Sequence, residues 1–187
     1  MTTSGRKALI VMLLLVGVPM IAGLLTFRWS NRGHTSNYGT IVEPSQLPAE
    51  PLADIGGSSF EFAALRGRWV LVMEGPGTCN ELCRKRLFLM RQIRTALGKD
   101  MGRVERVWMV SDGTMPDSTL IAEHAGTRVV RAAGSRALAL LNANGGEPAS
   151  FYLVDPQGNV MLRYPNDPDA RRVLKDLEHL LRLSRVG

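Results

Sequence analysis

The chain has 187 residues, of which 45% are hydrophobic and 21% charged, a composition that excludes a disordered or low-complexity protein. Its net charge is +6, but four of the 23 basic residues lie in the first 32 positions, ahead of every acidic residue. These residues flank an N-terminal segment and form no stripe on a folded surface. Aromatic side chains on which bases could stack are few, at 6%. We therefore expect no nucleic-acid partner.

Residues 8–27 form an apolar segment of 20 residues without a charge. A helix of this length spans about 30 Å, the hydrocarbon thickness of a bilayer. The segment is longer than the apolar core of a typical secretion signal and ends without a small-x-small cleavage site. It predicts a retained transmembrane anchor in contact with lipid, in preference to a cleaved signal. Basic residues flank both ends, so the orientation rests on the short N-terminus, which favours an inner-membrane protein with its C-terminal domain in the periplasm.

The next segment, residues 28–54, is polar and contains Pro44, Pro48 and Pro51. This composition is typical of a partly stiffened tether, so we predict a juxtamembrane linker. Residues 55–187 then remain as one domain.

Apolar runs typical of strands alternate with helical patterns in this domain. Strands are predicted over residues 58–62, 69–73, 104–110, 127–131, 151–154 and 159–163. Helices are predicted from Cys79 to Leu97, over residues 118–125 and 135–141, and from Pro168 onwards with Asp167 as the N-cap. A right-handed crossover makes the first two buried strands parallel. The predicted fold is an α/β sandwich of thioredoxin type.

Cys79 and Cys83 are the only cysteines, and they lie where a buried strand meets the start of a helix. Positions four apart share one face of a helix, so both sulfurs can approach one point. The helix N-terminus, with Arg84, Lys85 and Arg86, stabilises a thiolate. The spacing predicts a redox pair, whereas a structural disulfide or two helix residues without chemistry remain as alternatives. A closed zinc site is not supported, because it needs four ligands.

Three segments resemble the Sco/SenC family, membrane-anchored copper proteins of thioredoxin fold that assist assembly of the copper A centre of cytochrome c oxidase. They are GRWVLV at 67–72, GPGTCNELC at 75–83 and YLVDPQG at 152–158. The resemblance implies that Cys79 and Cys83 are two thiolate copper ligands or a redox pair. It implies copper as the cofactor. The implied partner is a cytochrome c oxidase subunit or another copper or thiol protein.

Two positions depart from the family pattern. The family has a proline after the second cysteine, where this chain has Arg84, and a histidine ligand where this chain has Glu147. A carboxylate at Glu147 is a weak third ligand for copper. The three histidines are not expected to replace it, because His34 lies in the linker, His179 on the last helix and His124 at the opposite edge of the sheet.

Other residues have both a functional and a structural interpretation. Pro148 is either the proline that faces the cysteines in thioredoxin-like proteins, which favours thiol–disulfide exchange, or a loop proline. Asp112 tunes a thiol or forms a turn. Met73 and Met109 are soft copper ligands or core residues, with the core favoured by their place inside strands.

Three functions follow from these patterns. The first is a membrane-anchored Sco/SenC-like assembly factor that handles copper, thiol redox or both through Cys79 and Cys83. The second is a membrane-tethered thiol–disulfide oxidoreductase without copper. The third is a non-catalytic assembly adaptor, and the sequence favours the first.

Overall fold

The computed structural model divides into two compact units, Met1–Ser36 and Asn37–Gly187. It describes residues 3–30, 37–143, 151–184 and 186. The described part of the first unit is helix α1, Thr3–Ser30. Within it, Gly5–Thr26 is long and apolar enough to cross a membrane, judged by length and composition. The sequence-predicted anchor therefore coincides with a continuous helix.

Eight strands among the described residues of the second unit form one mixed sheet. They are β1 Thr40–Gln46, β2 Leu52–Asp54, β3 Ser59–Phe60, β4 Trp69–Gly75, β5 Val104–Val110, β6 Thr127–Arg131, β7 Phe151–Val154 and β8 Asn159–Tyr164. Their order across the sheet is β1-β8-β7-β4-β5-β6-β2-β3. The central strands β4, β5 and β6 are parallel, and the other pairs are antiparallel. The loops that follow β4 and β5 therefore lie at the same edge.

Helices cover both faces of this sheet. They are α2 Glu81–Ala96, α3 Ser118–Glu123, α4 Arg136–Ala143 and α5 Ala170–Leu183, with 3-10 helices at Phe62–Leu65 and Gly98–Arg103. Leu71 and Met73 of β4 pack with buried residues of α2 and α5, whereas Val70 and Val72 pack with those of α4. Successive side chains of a strand point to opposite faces, so a strand buried on both sides is a continuous apolar run. The predicted α/β sandwich is confirmed.

The stretch predicted as a linker, residues 28–54, differs from this expectation in its second half. Strands β1 and β2 lie within it and belong to the sheet. Val42, Leu47 and Leu52 are buried there, and the register of β1 against β8 shifts around Pro44. Outer strands are short, carry polar residues and tolerate proline at irregularities, so their composition resembles that of a tether.

Helix α5 begins later than the sequence predicts. Asp169 is its N-cap and accepts hydrogen bonds from the backbone N–H groups of the first turn. The prediction that Asp167 caps the helix and that Pro168 is its first residue is wrong. The carboxylate of Asp167 instead forms an ion pair with Lys85 of α2. Asp169, two residues later in the chain, caps the helix.

Asp176 of α5 fixes the beginning of the second unit. Its side chain is buried; Oδ1 accepts a hydrogen bond from Tyr38 N at 2.9 Å and Oδ2 accepts one from Gly39 N at 2.8 Å. A Cβ atom at Gly39 would lie 2.8 Å from Cε1 of Tyr164. The backbone of Gly39 therefore lies against the Tyr164 ring, at a distance that a residue without a Cβ atom allows.

Candidate functional site

A disulfide joins Cys79 and Cys83, with 5.1 Å between their Cα atoms. It lies after the carboxyl end of β4, at the start of α2. Both residues are buried, with 2% and 0% of their surface exposed. The spacing predicted that the two sulfurs could approach one point, and they do. It did not predict that both side chains would be buried.

The backbone around the disulfide is held by the first turn of α2. Asn80 is the N-cap, and its Oδ1 accepts a hydrogen bond from Cys83 N at 3.0 Å. Cys79 N donates to Pro76 O at 3.2 Å. Cys79 has a φ of 39°, in the left-handed region, which costs a residue with a side chain roughly 1–2 kcal/mol. The cap and the turn therefore hold a strained residue in place.

The loop before the disulfide packs closely on the loop after β5. A Cβ atom at Gly77 would lie 2.0 Å from Thr114 O, so the backbones approach too closely for any side chain. Asp112 joins the two loops, because its Oδ1 accepts hydrogen bonds from Gly77 N at 2.9 Å and Thr114 N at 3.1 Å. These hydrogen bonds lower the pKa of Asp112, and the bond from Gly77 N has the largest effect. Asp112 thus forms the predicted turn and positions the disulfide loop.

The three basic residues after Cys83 have different surroundings. Arg84 is exposed, and Lys85 Nζ lies 2.7 Å from Oδ1 of Asp167. Arg86 is 1% exposed and its Nε donates to Asn166 O at 2.6 Å. Burial lowers the pKa of Arg86, and the charge of Asp167 opposes that change. The expectation of three cations acting together on the thiols is therefore too simple, since Lys85 is ion-paired and Arg86 is buried against another loop.

The remaining histidine, glutamate and proline candidates from the sequence are described only in part. Glu147, Pro148 and His34 lie outside the described residues. His179 is exposed on α5, as expected. His124 lies in the turn after α3, as its C-cap, which agrees with the expected loop position, but it is only 6% exposed, so the expected surface position is wrong.

The residues that could hold a soft metal are Cys79 and Cys83 in their reduced form. Met73 and Met109 are fully buried in separate clusters, one on each face of the sheet, which agrees with their expected place in the core. Across residues 3–30, 37–143 and 151–184, no three His, Cys, Asp or Glu side chains are grouped to hold a metal ion. Two thiolates suit Cu(I), and a third ligand would have to come from elsewhere.

Glu74 is a buried carboxylate that the sequence analysis missed. It is 2% exposed near the end of β4, and in the described part of the chain its Oε2 has no hydrogen-bond partner. Burial raises the pKa of Glu74 to about 7, although a hydrogen bond with Asn142 opposes the change. Glu74 shares its sheet face with Val72, and the cysteines pack on the other face. A charged residue directly after an apolar run was the available signal.

Comparisons with known proteins agree with this arrangement. A family model described as a transmembrane-like, thioredoxin-like C-terminal domain matches residues 69–184, more than half of the chain. The chain belongs to this family. The matched thioredoxin-like domain begins at β4 and includes the disulfide, α2 and α5. No curated protein matches the sequence.

Solved structures share the fold of this thioredoxin-like domain at low identity. Apo Sco1 from Thermus thermophilus is 21% identical with a TM-score of 0.64, over 79% of this chain and 99% of that chain. Copper-bound ScoI from Bradyrhizobium japonicum is 17% identical with a TM-score of 0.54, over 75% and 99%. A putative protein disulfide isomerase from Bacteroides thetaiotaomicron is 15% identical with a TM-score of 0.58, over 78% and 94%. The structural neighbours thus include both Sco proteins and a putative protein disulfide isomerase, and at these identities they show the thioredoxin-like fold.

Proposed function

We propose that this protein is a membrane-anchored assembly factor whose Cys79–Cys83 pair alternates between a disulfide and a dithiol. The dithiol form carries Cu(I) for assembly of cytochrome c oxidase. The observation that carries the proposal is the disulfide itself, placed where a central strand of a thioredoxin-like sheet meets a helix N-terminus. The copper-bound ScoI structure and the resemblance of the cysteine segment support the copper role.

Reduction of the disulfide takes two electrons and two protons from a partner dithiol and releases both sulfurs. The N-terminus of α2 then stabilises the thiolate form, which is the nucleophile and the metal ligand. Cys79 and Cys83 would hold copper as cargo through two soft sulfurs. In this proposal Glu147 is the third ligand, a harder donor than the histidine of the resembling family.

A second candidate function is thiol–disulfide exchange without copper. It is favoured by the ligand count, since no three His, Cys, Asp or Glu side chains are grouped to hold a metal ion in the part of the chain that the structure describes. In this case the partner is a thiol protein, and the same sulfurs exchange a disulfide with it.

The proposed location is the inner membrane, with the thioredoxin-like domain in the periplasm. The helix over Gly5–Thr26 is the anchor, and an oxidising compartment lets a disulfide persist.

Copper binding is tested on the full-length protein in nonionic detergent. The reduced protein, titrated with Cu(I) against a chromophoric chelator, is expected to bind a single ion per chain. Cys79→Ser, Cys83→Ser and the oxidised wild type should bind none, because each loses at least half of the soft ligands. Met109→Leu is the matched control, since it removes a sulfur from the other face of the sheet.

A reduced wild type that binds no Cu(I) contradicts the copper role. If this protein nevertheless reduces a disulfide substrate, and Cys79→Ser does not, the second candidate function replaces the first. Failure of both assays leaves the adaptor hypothesis and overturns the proposal.

A further inference from the structure

A small cleft lies between α2 and α3. Its volume is about 250 Å³. The residues that line it are Arg84, Phe88, Arg91, Leu120, Glu123 and His124. Typical ligand pockets enclose roughly 300–1,000 Å³, so this cleft has room for one small molecule or one side chain.

The cleft carries a net positive charge. Arg84 and Arg91 line it against the single carboxylate of Glu123. Arg94 and Arg106 are close enough to act on the same charges, since Arg91 and Arg94 both lower the pKa of the Arg106 guanidinium, after burial as the main cause. Glu105 acts on Arg106 and Asp117 on Arg84, so four arginines stand against three acidic side chains around this cavity.

Several buried polar groups around the cleft have no partner within the described residues. His124 lines the cleft and is 6% exposed, yet its Nδ1 makes no hydrogen bond. Arg106 is 3% exposed, and its Nη2 donates to Ala125 O at 2.8 Å while Nε and Nη1 are unpartnered. Unpaired buried donors and cations are costly, so native proteins supply them with a partner.

The walls indicate what kind of anion fits. Phe88 is 46% exposed and Leu120 is buried, so two sides of the cleft are apolar. Arg91 Nη1 donates to Glu123 O at 2.7 Å, and its guanidinium lies 5.5 Å from the centre of the Phe88 ring. Arg91 is thus fixed across the opening. A planar guanidinium beside an aromatic wall suits a carboxylate on a short apolar stem.

We propose that the cleft between α2 and α3 binds a carboxylate with a short apolar stem, held by Arg84, Arg91 and His124. The carboxylate comes either from a small organic acid or from an acidic side chain of a protein partner. This site does not depend on the redox or copper role of the cysteines.

Benzoate is the probe, titrated calorimetrically into the full-length protein in nonionic detergent at about 0.15 M ionic strength. Saturable binding is expected, weakened at least about tenfold in the double variant Arg84→Gln, Arg91→Gln, which is the effect of losing one charged hydrogen bond. The double variant Arg171→Gln, Lys175→Gln removes the same charge from exposed positions of α5 and should bind as the wild type does. Glu123→Gln should bind more tightly, because it removes the one carboxylate that lines the cleft.

Two further ligands distinguish the chemistry and the source. Inorganic phosphate should bind more weakly than benzoate, since it has no apolar stem. A short peptide with one glutamate should compete with benzoate if the natural source is a protein side chain, and should not compete if it is a small acid. Absence of saturable benzoate binding, tighter binding of phosphate, or equal losses in both double variants would overturn the proposal.

Discussion

Glu74 shows how a single buried group makes stability depend on pH. Its pKa is about 7 in the folded protein against an ordinary value of 4.5, so the folded state binds more protons between these values. The free energy of unfolding therefore falls as pH rises through this range, by about 3 kcal/mol in total. We expect Glu74→Gln to be more stable than the wild type at pH 8 and to lose this advantage near pH 4.5. Denaturant unfolding followed by tryptophan fluorescence measures both.

Glu43→Gln is the matched control for this prediction, because Glu43 is exposed on β1. It should change stability little at either pH. Equal stabilities of Glu74→Gln and the wild type at pH 8 would show that the carboxylate is not buried as the structure has it.

The reduced cysteines are expected to be reactive near neutral pH. A helix N-terminus favours the thiolate, so at least one of Cys79 and Cys83 should be alkylated with a midpoint below the reference pKa of about 8.5. The rate of iodoacetamide labelling of the reduced protein, measured against pH with each Cys→Ser variant, gives the midpoint. A midpoint at or above the reference would contradict thiol activation.

The spacing could predict that Cys79 and Cys83 are neighbours at the start of a helix, but not how they meet. Cys79 precedes the N-cap Asn80 and has a φ of 39°, so the two sulfurs join across the turn that enters α2 and not along one face of the helix. The burial of Arg86 and His124 could not be predicted, because it depends on how α2 and α3 are rotated against the sheet and which loops cover them. Glu74 lay one residue beyond a predicted apolar run, and only the structure shows that it is enclosed and hydrogen-bonded with Asn142 of α4.

The loops that hold the disulfide form an element with little tolerance for added atoms. A Cβ atom at Gly77 would meet Thr114 O at 2.0 Å, so one of two backbones has to move. We expect Gly77→Ala to destabilise the oxidised protein by about 1–3 kcal/mol. Gly113→Ala is the control, since its Cβ would meet no atom within 4 Å. Thermal unfolding of the two variants measures the difference, and equal melting temperatures would contradict the close approach.

Central elements were predictable and peripheral elements were not. Strands β4 and β5 are buried on both faces, which leaves apolar runs at residues 69–73 and 107–110 in the sequence. Strand β1 is exposed at most positions and contains Pro44, so its sequence resembles a linker. Asp167 and Asp169 both fit an N-cap by type, and the ion pair with Lys85 occupies the first.

At the scale of the whole molecule, the helix over Gly5–Thr26 is expected to keep the chain in the membrane. The full-length protein should remain in the pellet after alkaline carbonate extraction, and a reporter fused after Gly187 should be active only outside the cytoplasm. Release of a shortened soluble protein would contradict the anchor, and cytoplasmic reporter activity would contradict the orientation.

The redox equilibrium of Cys79 and Cys83 tests the proposed function most directly. Full-length protein is equilibrated in buffers with graded ratios of reduced to oxidised glutathione, quenched in acid and alkylated. Its mass is then measured by mass spectrometry. As the buffers become more reducing, both cysteines should change together from the disulfide, which is not alkylated, to the doubly alkylated dithiol. The transition should have the slope of a two-electron couple. Two thiols that stay alkylated in every oxidising buffer, or one cysteine that reacts without the other, would contradict a reversible disulfide at this site.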